Sequence, residues 1–160
     1  MERKATIQEG FLDRRAAARI RLAAIELIAD HRPDNPLRRK LIEALVAFND
    51  RNGPSEDWRF VGFYALDEDG ELEGGLQGAF EWDWLHVTHL WAREPRRGLG
   101  RRLMAAAEGL VRERGKRGLF LDTLAFQARP FYEKLGFAVI GTIEGAAGEH
   151  ARYFMAKRLR

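Results

Sequence analysis

The stretch from Trp84 to Leu124 constrains this chain most. Trp84 to Ala92 reads as a strand. Gly98 to about Glu113 carries Leu99, Leu103, Ala106, Leu110 and Val111 at helical spacing, and Gly118 to Leu124 reads as a second strand. Strand, helix and strand in such close succession commit the chain to a parallel crossover. At the first junction stands Arg96-Arg97-Gly98-Leu99-Gly100-Arg101-Arg102. A helix start leaves about four backbone N–H groups unpaired, and its dipole favours negative charge there. Two glycines let a ligand approach the backbone, and the arginines add charge, which together suit a phosphate or pyrophosphate. A tight strand-to-helix turn with no ligand uses the same residues, so both readings stay open here. A P-loop is excluded because no Gly-Lys-Ser/Thr follows, and the third glycine of a dinucleotide fingerprint falls on Leu103.

Around this segment the periodicity changes once. Apolar Ala17, Ile20, Ala24, Leu27 and Ile28 predict a helix from Asp13 to about His31, and Leu41, Leu45 and Phe48 predict another from Leu37 to Asn49. Asn52-Gly53-Pro54 then breaks the helical pattern. Trp58 to Leu66 and Glu71 to about Trp82 read as strands joined at Asp67-Glu68-Asp69-Gly70, with Gly74, Gly75 and Gly78 hinting at a bulge or close backbone approach. After the crossover come a short helix (Ala128 to Leu135), a strand (Phe137 to Ile143), a Gly-rich turn (Gly145 to Gly148) and a last strand (Ala151 to Lys157). The expectation is one α+β domain over residues 1–160, with N-terminal helices over 1–52 and a mixed, mostly antiparallel sheet over 58–160.

Composition narrows the chemistry. There is no Cys, so disulfides, zinc–thiolate sites and thiol nucleophiles are excluded; four scattered His suggest no metal site. No apolar run approaches the ~18 residues of a membrane span, and no signal-peptide stretch follows Met1, so a cytoplasmic protein is expected. The net charge of +3 conceals a separation of sign. Glu56 to Asp83 holds nine acids and one base, Arg59; Arg93 to Arg117 holds nine bases and three acids, Glu94, Glu108 and Glu113. An anionic partner for the basic stretch is one reading, and two solvated faces of opposite sign is the other. Arg14, Arg15, Arg19 and Arg21 surround an apolar stripe without a nucleic-acid-reading motif, so no nucleic-acid partner is expected.

The second informative string is Phe126-Gln127-Ala128-Arg129-Pro130-Phe131-Tyr132-Glu133-Lys134-Leu135-Gly136-Phe137. Downstream of the Gly98–Gly100 turn, this string resembles the GNAT superfamily of acetyl-CoA-dependent N-acetyltransferases. The likeness covers roughly Trp58 to the C-terminus, and the order of elements agrees. Two positions depart from the family pattern: Pro95 stands where Arg or Gln is usual, and Ala125 where Asn is common.

The resemblance implies a sheet whose Trp84–Ala92 and Gly118–Leu124 strands splay apart to hold acetyl-CoA. The phosphates would meet Arg96, Arg97, Gly98, Leu99, Gly100, Arg101 and Arg102. The pantetheine arm would pair near Leu90, Trp91 and Ala92, beside Phe126, Ala128 and Phe131. Tyr132 is implied as the general acid for the departing thiolate; a phenol of pKa about 10 stays protonated at neutral pH, and a thiol near 8.5 leaves readily. A lysine-like amine arrives protonated, so a proton acceptor is needed, and His86, His89, Glu81 and Asp83 are the candidates. Strict alternation puts Trp84, His86, Thr88 and Leu90 on one strand face, and Leu85, Val87, His89 and Trp91 on the other. Several family members carry a carboxylate base at the position of His86, which makes His86 the first candidate and Glu81 the next. Trp82 and Trp84 are candidates for the acceptor pocket, and the Gly145–His150 turn for a lid. The implied activity is direct acetyl transfer to a primary amine of a small molecule or peptide, with no metal. The alternative is a non-catalytic acyl-CoA-binding or regulatory protein on the same fold. Exposed strand edges and the N-terminal helix offer surfaces for a homodimer.

Overall fold

The structure is a computed structural model and describes residues 19–22, 25–54, 58–94 and 98–160. The chain falls into two compact units, Met1–Phe48 and Asn49–Arg160. In the first, β1 (Arg19–Leu22) pairs antiparallel with β2 (Ile25–Ile28). This corrects the helix expected from Asp13 to His31, of which residues 13–18 lie outside the described residues. The apolar positions 20, 22, 25 and 27 satisfy a period of two as well, and β-branched Ile20, Ile25 and Ile28 favour it. In the antiparallel register Ile20 stands opposite Leu27 and Leu22 opposite Ile25.

Helix α1 (Pro36–Asn52) forms where Leu37–Asn49 was expected. Asn35 Oδ1 accepts the Leu37 N–H at 2.8 Å. Pro36 occupies the first helical position, where its missing N–H costs nothing.

The second unit is built on a six-stranded sheet of β3 (Arg59–Leu66), β4 (Leu72–Glu81), β5 (Trp84–Ala92), β6 (Gly118–Leu124), β7 (Ala138–Ala147) and β8 (His150–Arg158). Its order is β3-β4-β5-β6-β8-β7, and only β5–β6 is parallel. The crossover between them is α2 (Leu99–Glu113); α3 (Arg129–Lys134) links β6 to β7. The chain is thus α+β with a mixed sheet, as the alternation of periods predicted. At the β3–β4 turn Asp67 Oδ1 accepts the N–H groups of Asp69 and Glu71, and Gly70 takes φ +82°. The Gly-rich stretch departs from expectation. β7 runs through Gly145 to Ala147, with the register to β8 shifting between Ile143 and Ala147, so the turn shrinks to Gly148–Glu149. Gly145 at φ +62° sits within that irregularity, where an L-residue would be strained.

The core lies between α2 and one face of the sheet. Leu103, Met104, Ala107 and Val111 of α2 meet Val61, Leu76, Phe80, Leu85, Val87, Leu119, Leu121 and Met155. Each fully buried aliphatic or aromatic side chain contributes roughly 1.5–3 kcal/mol. The inward stripe is rotated from the one expected: Ala106 is exposed, while Met104, Ala107 and Glu108 face in. Glu108 is tolerated there because Lys157 Nζ lies 2.6 Å and Arg112 Nη2 3.1 Å from its carboxylate.

Along β5 the ladder to β4 pairs Gln77 with His89 and Gly78 with Val87, leaving Thr88 as an extra residue, a β-bulge. Gly78 permits it, since a Cβ there would run into the His86 carbonyl oxygen. Gly78→Val should therefore lower stability by about 1–3 kcal/mol in urea unfolding. Gly109→Ala, in an open position of α2 with nothing within 4 Å of the added Cβ, should raise it by about 0.5–1 kcal/mol.

Candidate functional site

Beyond Val87 and Leu121 the parallel pair separates. β5 stays with β4 as far as Ala92, and β6 stays with β8 as far as Leu124. The gap is a cleft of about 350 Å³, lined by Val87, Thr88, His89, Leu90 and Trp91 of β5, Asp122 and Thr123 of β6, and Gln127, Ala128 and Tyr132. With β6 gone, the β5 edge on this side has no ladder partner for its N–H and C=O groups.

Helix α2 begins close by. Gly98 is its N-cap at φ +79°, with no capping side chain, and the first helical bond runs from the Arg102 N–H to the Gly98 carbonyl at 3.1 Å. The preceding amides therefore lack helical acceptors. Gly100 stands beside α3: a Cβ there would lie 3.4 Å from the Phe131 ring. Phe131 in turn meets Tyr132 edge-on at 5.1 Å. Arg101 and Arg102 are exposed; Arg96 and Arg97 lie outside the described residues. Part of the charge separation is spent within the unit, through Arg93–Glu73 at 3.2 Å and Arg117–Asp83 at 2.9 Å.

Tyr132 is 7% exposed and packs edge-on against Phe137 as well. Two residues the sequence reading passed over hold α3 in place. Gln127 Oε1 accepts the Leu124 N–H at 2.8 Å and the Thr123 hydroxyl at 3.3 Å, and Thr123 Oγ1 accepts the Ala128 N–H at 3.3 Å. Their signal was Thr123 followed four residues later by Gln127 at a strand-to-helix junction. Asp122, also overlooked, is held by Arg152 at 3.4 Å.

His86 and Glu81 are brought together, with Nδ1 3.1 Å from Oε1, and the His86 ring stacks on Phe120 at 4.4 Å. A carboxylate only accepts, so Nδ1–H donates and Nε2 keeps its lone pair. His86 leaves the sheet opposite Leu85 and Val87, one residue before the cleft begins. The bulge then changes the faces expected from strict alternation. Leu90 packs on the same core as Leu85 and Val87, so His89 and Trp91 turn to the side of His86. Leu90, Trp91 and Ala128 line the cleft. Ala92 ends the strand, and Phe126 is exposed with its ring edge-on to His150 at 5.0 Å.

Trp82 and Trp84 stand outside the cleft, at the opposite end of β5. Trp84 lies under the Arg158 guanidinium at 5.7 Å. Trp82 takes φ +50° in the β4–β5 turn, a strained position for an L-residue. Its indole N–H donates to the Pro54 carbonyl at 3.0 Å, and the Lys116 ammonium donates to the Trp82 carbonyl at 2.8 Å. Asp83, in the same turn, is occupied by Arg117.

Burial first, and the Asp122 charge second, push the Tyr132 phenol up to about 12. The folded state thus holds this proton more tightly than the unfolded chain, whose tyrosines titrate near pH 10. The stabilisation is complete below about pH 10 and is lost as the pH rises towards 12. Ultraviolet titration should show a phenolate step near pH 12 that is missing in Tyr132→Phe, and the variant's stability should fall less over that window.

The family model described as Acetyltransferase (GNAT) family matches residues 25–137. The chain is 46% identical over 83 residues to blasticidin-S acetyltransferase of Streptomyces morookaense, covering 50% of this chain and 61% of that protein, so less than two thirds of this relative is spanned. It is 31% identical over 133 residues to an acetyltransferase of Agrobacterium fabrum (strain C58), covering 82% of this chain and 94% of that one. Among solved structures, an acetyltransferase from Bacillus cereus superposes with a TM-score of 0.71 at 28% identity, covering 82% of this chain and 98% of that chain. Among the described residues no helix is long and apolar enough to cross a membrane, and no cluster of His, Asp and Glu has the arrangement of a metal site. The splayed parallel pair, the glycine helix start and the Tyr132 helix carry the same assignment as the sequence relatives: this chain belongs to the GNAT acetyltransferase family.

Proposed function

We propose that this protein is an N-acetyltransferase that passes acetyl from acetyl-CoA directly to a primary amine of a small molecule or peptide. One observation carries this reading: the β5–β6 pair opens into a cleft with the helix-start amides of α2 near it and a protonated phenol in its wall. The amides of Leu99, Gly100 and Arg101, with the Arg101 and Arg102 side chains and Arg96 and Arg97 before them, suit the pyrophosphate. The free β5 edge at Leu90, Trp91 and Ala92 suits the amide-bearing pantetheine arm, with Ala128, Phe131 and Phe126 on the α3 side. An N–H of that edge would polarise the thioester carbonyl as charge develops on its oxygen.

The acceptor nitrogen must be neutral to attack. His86, backed by Glu81, is the proton acceptor next to the cleft. The amine then forms the C–N bond as the C–S bond breaks, and Tyr132 gives its proton to the sulfur. A phenol held near 12 keeps its proton at neutral pH and so is present to hydrogen-bond the sulfur as negative charge develops there. An acceptor extending past His86 along β5 meets Trp84 next and then Trp82. The likeness to blasticidin-S acetyltransferase supports a small-molecule amine and makes blasticidin S the first acceptor to try.

Acetyl-CoA should raise the melting temperature of the wild-type protein, and Gly100→Asp, which adds bulk and negative charge at the helix start, should abolish that rise. Tyr132→Phe should lower turnover by roughly 10²–10⁴-fold in a thiol-release assay over a panel of amines, with little change in acetyl-CoA affinity. An undiminished thermal shift in a folded Gly100→Asp variant would rule out this phosphate site. Wild-type turnover in Tyr132→Phe would reduce Tyr132 to packing.

A further inference from the structure

We infer that His89 is a second proton acceptor of the site, turned into the cleft by the bulge at Thr88 and fixed in its reactive tautomer by the Thr88 hydroxyl. This rests on the acetyltransferase reading above and adds a residue to it. Had β5 alternated strictly, Leu90 would lie opposite the Leu85–Val87 face and His89 would point into the core. The extra residue at Thr88 puts Leu90 on the core instead, and His89 lines the cleft that also holds Tyr132. His86 does not line it.

The tautomer follows from counting hydrogens. Thr88 Oγ1 lies 3.2 Å from the Gln77 carbonyl, which can only accept, so the single hydroxyl hydrogen is committed there. His89 Nδ1 lies 3.0 Å from the same Oγ1. That contact is a hydrogen bond only if Nδ1–H donates to the oxygen lone pair. Neutral His89 therefore carries its hydrogen on Nδ1 and leaves the Nε2 lone pair on the far side of the ring from Thr88. The other titratable groups of the cleft are Tyr132, neutral at physiological pH, and Asp122, engaged by Arg152.

The chemistry has work for two acceptors. Acetyl transfer to an ammonium takes two protons from nitrogen: one before attack, and one from the positively charged nitrogen once the C–N bond has formed. One proton appears on the sulfur, supplied by Tyr132 and then replaced at its oxygen; the other is released to solvent. His86 with Glu81 stands at the edge of the cleft and His89 lines it, so each step has an imidazole nearby.

The test uses the full-length protein with acetyl-CoA and blasticidin S or another amine that supports thiol release. His89→Gln should lower kcat about 10²-fold at pH 7, leave KM for acetyl-CoA unchanged, and remove one limb of the pH–rate profile between about pH 6 and 8. Thr88→Val keeps the imidazole but removes the oxygen that orients it; it should lower kcat less and move that limb. Nitrogen-15 NMR of the wild type should show His89 as the Nδ1–H tautomer. A His89→Gln variant with the wild-type kcat and pH profile, or an Nε2–H tautomer for His89, would overturn the inference while leaving the acetyltransferase reading intact. Failure of the wild type to release thiol with any primary amine would instead overturn that reading, and the role of His89 with it.

Discussion

The parallel pair β5–β6 is zipped only from Trp84 opposite Gly118 to Val87 opposite Leu121. β5 follows β4 and β6 follows β8, and after Val87 and Leu121 the two ladders diverge. Everything around the cleft depends on that divergence. It frees one backbone edge of β5, where a ligand can take the hydrogen bonds that a strand would otherwise make. It also admits Tyr132 of α3 to the cleft wall, and it lies near the α2 start, whose first amides have no intrahelical acceptor. The bulge at Thr88 belongs to the same construction, since it bends β5 and re-aims the residues that follow. Its cost is met by Gly78, the residue opposite, which has no Cβ to obstruct the His86 carbonyl.

The polar groups are then sorted by environment. Tyr132 is buried among Phe131 and Phe137 and near the Asp122 charge, so it keeps its proton. The two histidines of β5 are directed by acceptors at Nδ1, Glu81 Oε1 for His86 and Thr88 Oγ1 for His89, which puts the hydrogen of each neutral ring on Nδ1 and the lone pair on Nε2. The proposed acetyl transfer to an amine would use the phenol in the cleft wall as proton donor and the imidazoles at the strand edge as proton acceptors. Gln127 and Thr123 hold the first turn of α3, the helix of Tyr132, against the end of β6.

Much of this was legible in the sequence, and what was not has identifiable causes. β5 and β6 have the expected bounds, because nine and seven residues of strand character are bracketed by a sharp turn and by glycine. The N-terminal segment misled because apolar residues at 20, 24, 27 and 28 fit a helix while those at 20, 22, 25 and 27 fit a hairpin. In α2, Glu108 reads as a surface residue until Lys157, forty-nine positions away, is known to meet it. In β4 the glycines announced a bulge or a close approach, but not which residue of the partner strand β5 would be extra. Without Thr88 identified as that residue, His89 was assigned to the wrong face and Asp122 passed unnoticed. The placement of Trp82 and Trp84 beyond the cleft likewise depends on where the strands part, which no local pattern specifies.

The central claim is that the separated strands and the glycine helix start form one binding surface for acetyl-CoA. Backbone amide hydrogen exchange, measured with and without saturating acetyl-CoA, tests it residue by residue. The account predicts slowed exchange at Leu99, Gly100 and Arg101 together with amides of the Leu90–Ala92 edge. Protection confined to other segments, or exchange at both places unchanged by acetyl-CoA, would contradict it.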